Sequence, residues 1–368
     1  MSLDALLARY RELLHLPDPT PVIAALATVA ANQLPGDPVW TLLVGPPACG
    51  KTEIIDSLTA IPRTVSVSTL TKAGLLSGRG GKAGGLLITH FRTGNGLLLV
   101  KDFTTILSEA PATRTEVLAV LREVFDGHVA RSLGSTDHVI SWAGKLGVIA
   151  AVTEEIERHR AQIGLMGERF LHILMPPLIE RGALARHALT NTGTRPELRA
   201  ALADDVADYL NHLPPPTEQP LTPTELQLLS AAADLGSRAR SPIIRERGEV
   251  ELAPQPESPA RLATQLERLW QGTRHIGATA LQAGNVLRAA ILGGIPQQRR
   301  RALQALLASD TPMAAGHVAV AARLPSTAAY RALEDLAYLE LLTTDTPASG
   351  ALWAVNDEAR SLGQLLRL

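Results

Sequence analysis

Gly45-Pro46-Pro47-Ala48-Cys49-Gly50-Lys51-Thr52 is the stretch from which the rest of the chain can be read. It fits G-x-x-x-x-G-K-[S/T], a loop whose glycines let the backbone curl until its N–H groups face a polyphosphate. The apolar run Trp40 to Val44 before it reads as a strand, and Lys51 to Leu58 after it reads as a helix. The helix N-terminus adds the positive end of its dipole. In such a loop Lys51 reaches the β- and γ-phosphates and Thr52 offers its hydroxyl to Mg²⁺. All eight residues are therefore candidate nucleotide-binding residues, with ATP and Mg²⁺ the expected cofactors. The bland alternative is a Gly-Pro surface turn ahead of a helix.

The 368 residues exceed one small domain and predict two or three. With 46% hydrophobic residues the chain can bury a substantial core, and a formal net charge of −1 gives no global field for nucleic acid or anionic membrane. Any DNA contact must come from local patches. Cys49 is the single cysteine, which excludes a disulfide framework and points to a reducing compartment. It occupies a free position of the loop, as a small filler or as a point of redox control. Met1-Ser2-Leu3-Asp4 lacks the basic and apolar regions of a signal peptide, and no apolar run approaches membrane-spanning length. A soluble cytoplasmic protein is expected.

Residues 3–15 and 21–33 have helical periodicity, with Asp18 or Thr20 as a cap for the second helix. Strands are predicted at 40–44, 63–67, 97–101, 146–152 and 170–175, alternating with helices. That rhythm predicts an α/β fold with a parallel sheet flanked by helices. Between them, 74–96 is glycine-rich (Gly78, Gly80, Gly81, Gly84, Gly85) and reads as an excursion from the core. Beyond Pro176 helices dominate, at about 223–239, 259–275, 278–291 and 297–308, with a loop or short hairpin over 241–259. The end reads helix (312–323), turn at Pro325, helix (326–342) and a β-like tail to Val355, the pattern of a winged helix-turn-helix. Four segments follow: 1–36 helical, 37–178 the P-loop core, 179–308 a helical lid, and 309–368 the winged helix.

A P-loop ATPase also needs an acid near Mg²⁺. Leu97-Leu98-Leu99-Val100-Lys101-Asp102-Phe103 is the candidate, a buried strand expected beside the P-loop strand with Asp102 at its C-terminal end. Together these motifs resemble the AAA+ ATPases, in particular the branch with a hairpin before the sensor-1 strand, which includes the minichromosome-maintenance helicases. The resemblance spans roughly residues 38–275. It implies a Walker B role for Asp102, as a Mg²⁺ or water-activating acid. It also implies a hairpin from Gly127–Leu133 and His138–Trp142 turning at Gly134-Ser135, and a sensor-1 strand 147–152 ending in Thr153. Arg169, before Phe170, matches an arginine finger that serves a neighbouring subunit, and Arg261 a sensor-2 arginine of the lid. Thr153 has a competing reading, as the cap of a helix starting at Glu154. The common Asp-Glu ending is missing: its two places hold Lys101 and Asp102, or Asp102 and Phe103. A base from elsewhere, Glu109 or Glu123, would then be needed, and Lys101 has no role derivable from the sequence.

The resemblance further implies a ring-shaped homo-oligomer, a hexamer, that acts on DNA as a helicase or translocase. Candidate DNA contacts are Arg131, His138 and Lys145 around the hairpin, Arg331 on the recognition helix, and the basic run Arg299-Arg300-Arg301. Against this, 309–368 carries four arginines and seven acids. That balance suits a protein partner better than DNA. The alternative is an ATP-gated loader or regulatory scaffold that hydrolyses little. A remodeller gripping polypeptide is a third reading.

Overall fold

The computed structural model of the chain describes residues 1–79, 82–132, 139–165, 167–346 and 350–367, with the backbone alone at 79, 82, 161, 162 and 165. Gly80, Gly81, Leu133, the turn Gly134-Ser135 and His138 lie outside the described residues. The chain divides into two compact units. The first comprises Met1–Ile156, Arg169–Gln219 and Arg268–Val286; the second comprises Glu157–Glu168, Pro220–Glu267 and Leu287–Leu368.

The first unit opens with helices α1 (Leu3–Leu13) and α2 (Thr20–Gln33). The N-cap is Pro19, not Asp18 or Thr20 as expected, because the helix already begins at Thr20; the Asp18 carboxylate accepts from the Thr20 backbone N–H at 2.9 Å. Strands β1 (Trp40–Val44), β2 (Thr64–Val67), β3 (Asn95–Val100), β4 (Lys145–Val152) and β5 (Phe170–Leu174) follow in the chain. They pair in the order β2-β3-β4-β1-β5, every pair parallel. Strands buried on both faces read as continuous apolar runs, and β1 and β4 do: all of β1 and all of β4 after Lys145 are buried. Helices α3 (Lys51–Asp56) and α4 (Pro111–Phe125) pack on β4, while α2, buried on every side over most of its length, packs on β1 and β4. Helix α5 (Arg195–Asn211) packs on α1.

One expectation needs correction. The strand leading to Asp102 is not beside the P-loop strand; β4, which leads to Thr153, lies between them. Two strand spacings put β3 about 10 Å from β1. Crossover connections of this length leave strand order open, so neighbours in the sequence need not be neighbours in the sheet.

The glycine-rich excursion contains a small antiparallel pair, Ser77–Arg79 with Lys82–Gly84. A second antiparallel pair, His128–Ser132 with Val139–Ala143, precedes β4.

The second unit contains α6 (Pro223–Arg240), closed at its start by a capping box between Thr222 and Glu225. The hairpin β6 (Ile244–Glu246) and β7 (Glu249–Leu252) follows. Helices α7 (Pro259–His275) and α8 (Ala280–Gly294) each run across a unit boundary. Then come α9 (Gln297–Leu307), β8 (Met313–Ala314), α10 (Ala315–Ala322), α11 (Ser326–Tyr338), β9 (Leu342–Asp345), β10 (Leu352–Val355) and α12 (Asp357–Leu366). The three strands form an antiparallel sheet in the order β8-β10-β9, and α9, α10 and α11 pack on one another.

Candidate functional site at the ends of the parallel strands

The loop Gly45–Thr52 leaves the C-terminal end of β1, where ligands bind in open α/β sheets. Its first N–H, from Gly45, donates to the Val152 carbonyl at 3.2 Å, and the Met175 N–H donates to Val44 at 2.8 Å. A side chain at Gly45 would come within 2.8 Å of Met175 Cβ, so only glycine fits. Ala48 (φ 60°) and Gly50 (φ 95°) adopt left-handed backbone. The alanine does so at a cost of about 1–2 kcal/mol, strain that the surrounding loop must hold in place. Lys51 is 8% exposed, and its ammonium donates to the carbonyls of Gly45 and Pro46, both at 2.7 Å. Cys49 Sγ lies 3.6 Å from the same ammonium. Thr52 is exposed.

Hydrogen bonds run from this loop across the strand ends. Beyond Val152, the Thr153 N–H donates to Thr104 Oγ1 at 3.1 Å, and the Thr104 hydroxyl donates to Thr153 Oγ1 at 3.3 Å. The Thr104 N–H in turn donates to Asp102 Oδ1 at 3.0 Å. The Phe103 N–H closes on the Ala151 carbonyl at 2.7 Å. Lys51, Thr153 and Asp102 thus share one edge of the sheet. Thr153 also accepts from the Glu155 N–H at 3.4 Å, so its capping role is real and coexists with the Thr104 contact.

Several contacts here were not legible in the sequence. Lys101, without an assigned role, pairs with Asp56 at the end of α3 at 2.6 Å. Glu53, 5% exposed, holds Arg195 at 2.7 Å and Arg199 at 2.5 Å. Burial would raise the Glu53 pKa, but the two guanidiniums outweigh it and hold the carboxyl below its usual value. Two arginines four apart on one helix repel each other, and that spacing was the available signal that an acid lies between them. The first helix reaches the site too: Leu14 packs on Gly50, and Tyr10 Oη sits 2.6 Å from Ser57 Oγ in the buried interior.

Other expected site residues lie elsewhere. Phe170 is paired with Trp40, the first residue of β1, so Arg169 sits at the opposite sheet end from the loop of its own chain. It is 9% exposed, over the Phe125 ring at 5.6 Å and beside Asp126 at 3.4 Å. Phe125 also packs on Trp40, at 5.3 Å between ring centroids. Glu123, two residues earlier on α4, is therefore at that far end and is not placed to serve as the base. Glu109 is exposed after the short helix Thr104–Leu107. Arg261, in the second unit, pairs with Glu257 at 3.3 Å.

The basic candidates are mostly turned inward. Arg299 is 6% exposed and donates to Asp335 at 3.0 Å and to the Ser241 carbonyl at 2.6 Å. Burial, against the pull of Asp335, lowers its pKa. Arg300, 9% exposed, donates to the Leu292 and Ile295 carbonyls. The run Arg299-Arg300-Arg301 is thus not a solvated basic face; only Arg301 is exposed. Lys145 starts β4 at the sheet end away from the loop, its ammonium 2.5 Å from the Leu34 carbonyl. Arg131 donates to the Leu76 carbonyl at 3.2 Å. Arg331 is exposed on α11, close to Gly248.

No protein-family model and no curated protein matches this chain. The site's own chemistry must carry the assignment. Among the described residues no group of three or more His, Cys, Asp or Glu side chains could hold a metal alone. A Mg²⁺ held by one hydroxyl, one carboxylate and polyphosphate oxygens needs no such cluster. The exposed Thr52 hydroxyl and the exposed Asp102 carboxylate fit that donor set, and the glycine loop around Lys51 fits the polyphosphate.

Proposed function

We propose that the first unit binds ATP with Mg²⁺ at Gly45–Thr52 and that the chain is a P-loop ATPase of the AAA+ kind. One observation carries this reading: the glycine loop closed around Lys51 is joined through Val152, Thr153 and Thr104 to Asp102 by hydrogen bonds along one sheet edge. Bound there, ATP supplies a phosphoryl group for transfer to water. Lys51 exchanges loop carbonyls for phosphate oxygens and Thr52 and Asp102 hold Mg²⁺. Thr153, fixed by Thr104, orients water at the strand end. The hairpin before β4 supports the AAA+ assignment. The order α9, β8, α10, α11, β9, β10 supports a winged helix at the C-terminal end, and the helices from 181 onward support a lid.

For what ATP controls, the geometry favours the scaffold reading over the DNA motor. Of the basic candidates, Lys145, Arg299 and Arg300 are tied to backbone carbonyls inside their own units, and Arg301 and Arg331 are exposed. Duplex or single-strand tracking needs an exposed row of cations. The missing second acid agrees, since Lys101 is committed to Asp56. We therefore favour an ATP-gated, self-assembling scaffold with slow turnover. Binding of a fluorescent ATP analogue, hydrolysis with and without single- and double-stranded DNA, and sedimentation with and without ATP test this. Wild type should bind, Lys51→Ala should not, and DNA should leave turnover unchanged. Absence of nucleotide binding would refute the assignment, and turnover that rises with DNA would restore the motor.

A further inference from the structure

At the sheet end opposite the loop, β2, β3 and β4 begin around a cleft of about 710 Å³. Val29, Leu34 and Ile61 give it apolar walls, and Asn32, Gln33, Arg63, Asn95 and Lys145 are its polar groups. The volume falls within the range of small-molecule sites, and a mixed lining of this kind suits a ligand with one polar end and one apolar end. The wall is rigid at Lys145. Its backbone N–H is bonded to the Gly94 carbonyl, and any side chain at Gly144 would overlap that carbonyl.

Three charged groups face Lys145. Arg268 faces it from α7 but is itself paired with Glu218, and Asp37 faces it from the turn after α2. Burial and then Arg268 push the Lys145 pKa down to about 8, against the pull of Asp37 and Glu218. Among the described residues no carboxylate is paired with this ammonium, which feels Asp37 and Glu218 only at longer range, and a monoanion in the cleft would provide a direct partner. A dianion would lose more hydration on entering apolar walls than a single lysine returns.

We propose that this cleft is a second ligand site, taking a small amphiphilic carboxylate whose head pairs with Lys145 and whose apolar body lies on Val29, Leu34 and Ile61. It is independent of the ATP assignment, because no loop residue lines it. Arg63, exposed at the mouth, draws the anion in.

Calorimetric titration of the full chain with octanoate, and with octanamide as its uncharged isostere, tests the proposal. Octanoate should bind wild type and Lys51→Ala alike, at least tenfold tighter than octanamide. Lys145→Met should remove that preference, and Arg63→Gln should weaken octanoate two- to fivefold. Octanoate affinity should also fall severalfold from pH 7 to pH 9.5, as the amine loses its proton, while octanamide stays level. This wild-type measurement decides the matter if Lys145→Met fails to fold. Equal affinity for acid and amide, loss of binding in Lys51→Ala, a level pH profile, or no octanoate binding at millimolar concentration would each overturn the proposal.

Discussion

At the residue scale, the hydroxyl of Thr104 joins two strand ends, donating to Thr153 and accepting its N–H. Thr104→Val keeps the shape and removes both bonds, at a stability cost of about 1–2 kcal/mol. On the ATPase reading, turnover should fall at least tenfold with nucleotide affinity within twofold of wild type, measured by steady-state hydrolysis and equilibrium binding. Arg299 makes a second case. Arg299→Ala removes one buried partner of Asp335, which keeps Arg245 at 2.6 Å, and should cost about 1–3 kcal/mol in urea unfolding. Arg301→Ala, on the exposed face, should stay within about 0.5 kcal/mol of wild type. The sequence shows three consecutive arginines and cannot tell them apart. What separates them lies elsewhere in the chain: Asp335, 36 residues away on another helix, holds Arg299, and the Leu292 and Ile295 carbonyls hold Arg300. The loop Gly45–Thr52, by contrast, was legible as a turn between strand and helix, because its glycines stand where a side chain would clash or the backbone is left-handed.

At the scale of elements, the five strands were read to within two residues; β1, β3, β4 and β5 are largely buried apolar runs, as parallel strands covered on both faces are, while β2, at the sheet edge, is only half-buried. Their order was not legible, because it is set by crossovers and not by any strand's own pattern. Helix α1 is another element whose role only the fold reveals. It is a brace: Tyr10 bonds Ser57 just after α3, Leu14 rests on Gly50, and Arg9 pairs with Asp205 on α5 at 2.8 Å. Tyr10→Phe strands the Ser57 contact and should lower stability by about 1–2 kcal/mol. Leu14→Ala loosens the left-handed Gly50; on the ATPase reading it should weaken ATP-analogue binding three- to tenfold, with the melting temperature of the first unit falling by a few degrees. Unchanged binding in Leu14→Ala would show that the brace supports the fold alone.

At the scale of the whole molecule, titration links the interior to stability. Lys145 has a folded pKa of about 8 against an ordinary 10.5, so folding disfavours its charged form. Between those values the unfolded chain binds more protons, and stability rises with pH, by on the order of 1 kcal/mol after discounting for partial exposure. Two tyrosines act the other way above pH 10. Burial pushes Tyr209 up to about 12 and Tyr10 up as well, so unfolding releases protons there and stability falls. Unfolding midpoints in urea should therefore climb from pH 8, peak near pH 10 and then drop. Lys145→Met should abolish the climb and leave the drop. Among the described residues no helix is long and apolar enough to cross a membrane, in line with the apolar runs read from the sequence.

Cys49 is the chain's single thiol, and it lies in the loop 3.6 Å from the Lys51 ammonium. A maleimide dye would therefore label one defined atom of the wild-type protein, with no engineered cysteine and no background to subtract. A bulky label there should itself obstruct the loop, so the small environment-sensitive reagents are the useful ones. On the ATPase reading, occupancy of the loop would then be readable as slower labelling of the purified protein, without any measurement of turnover.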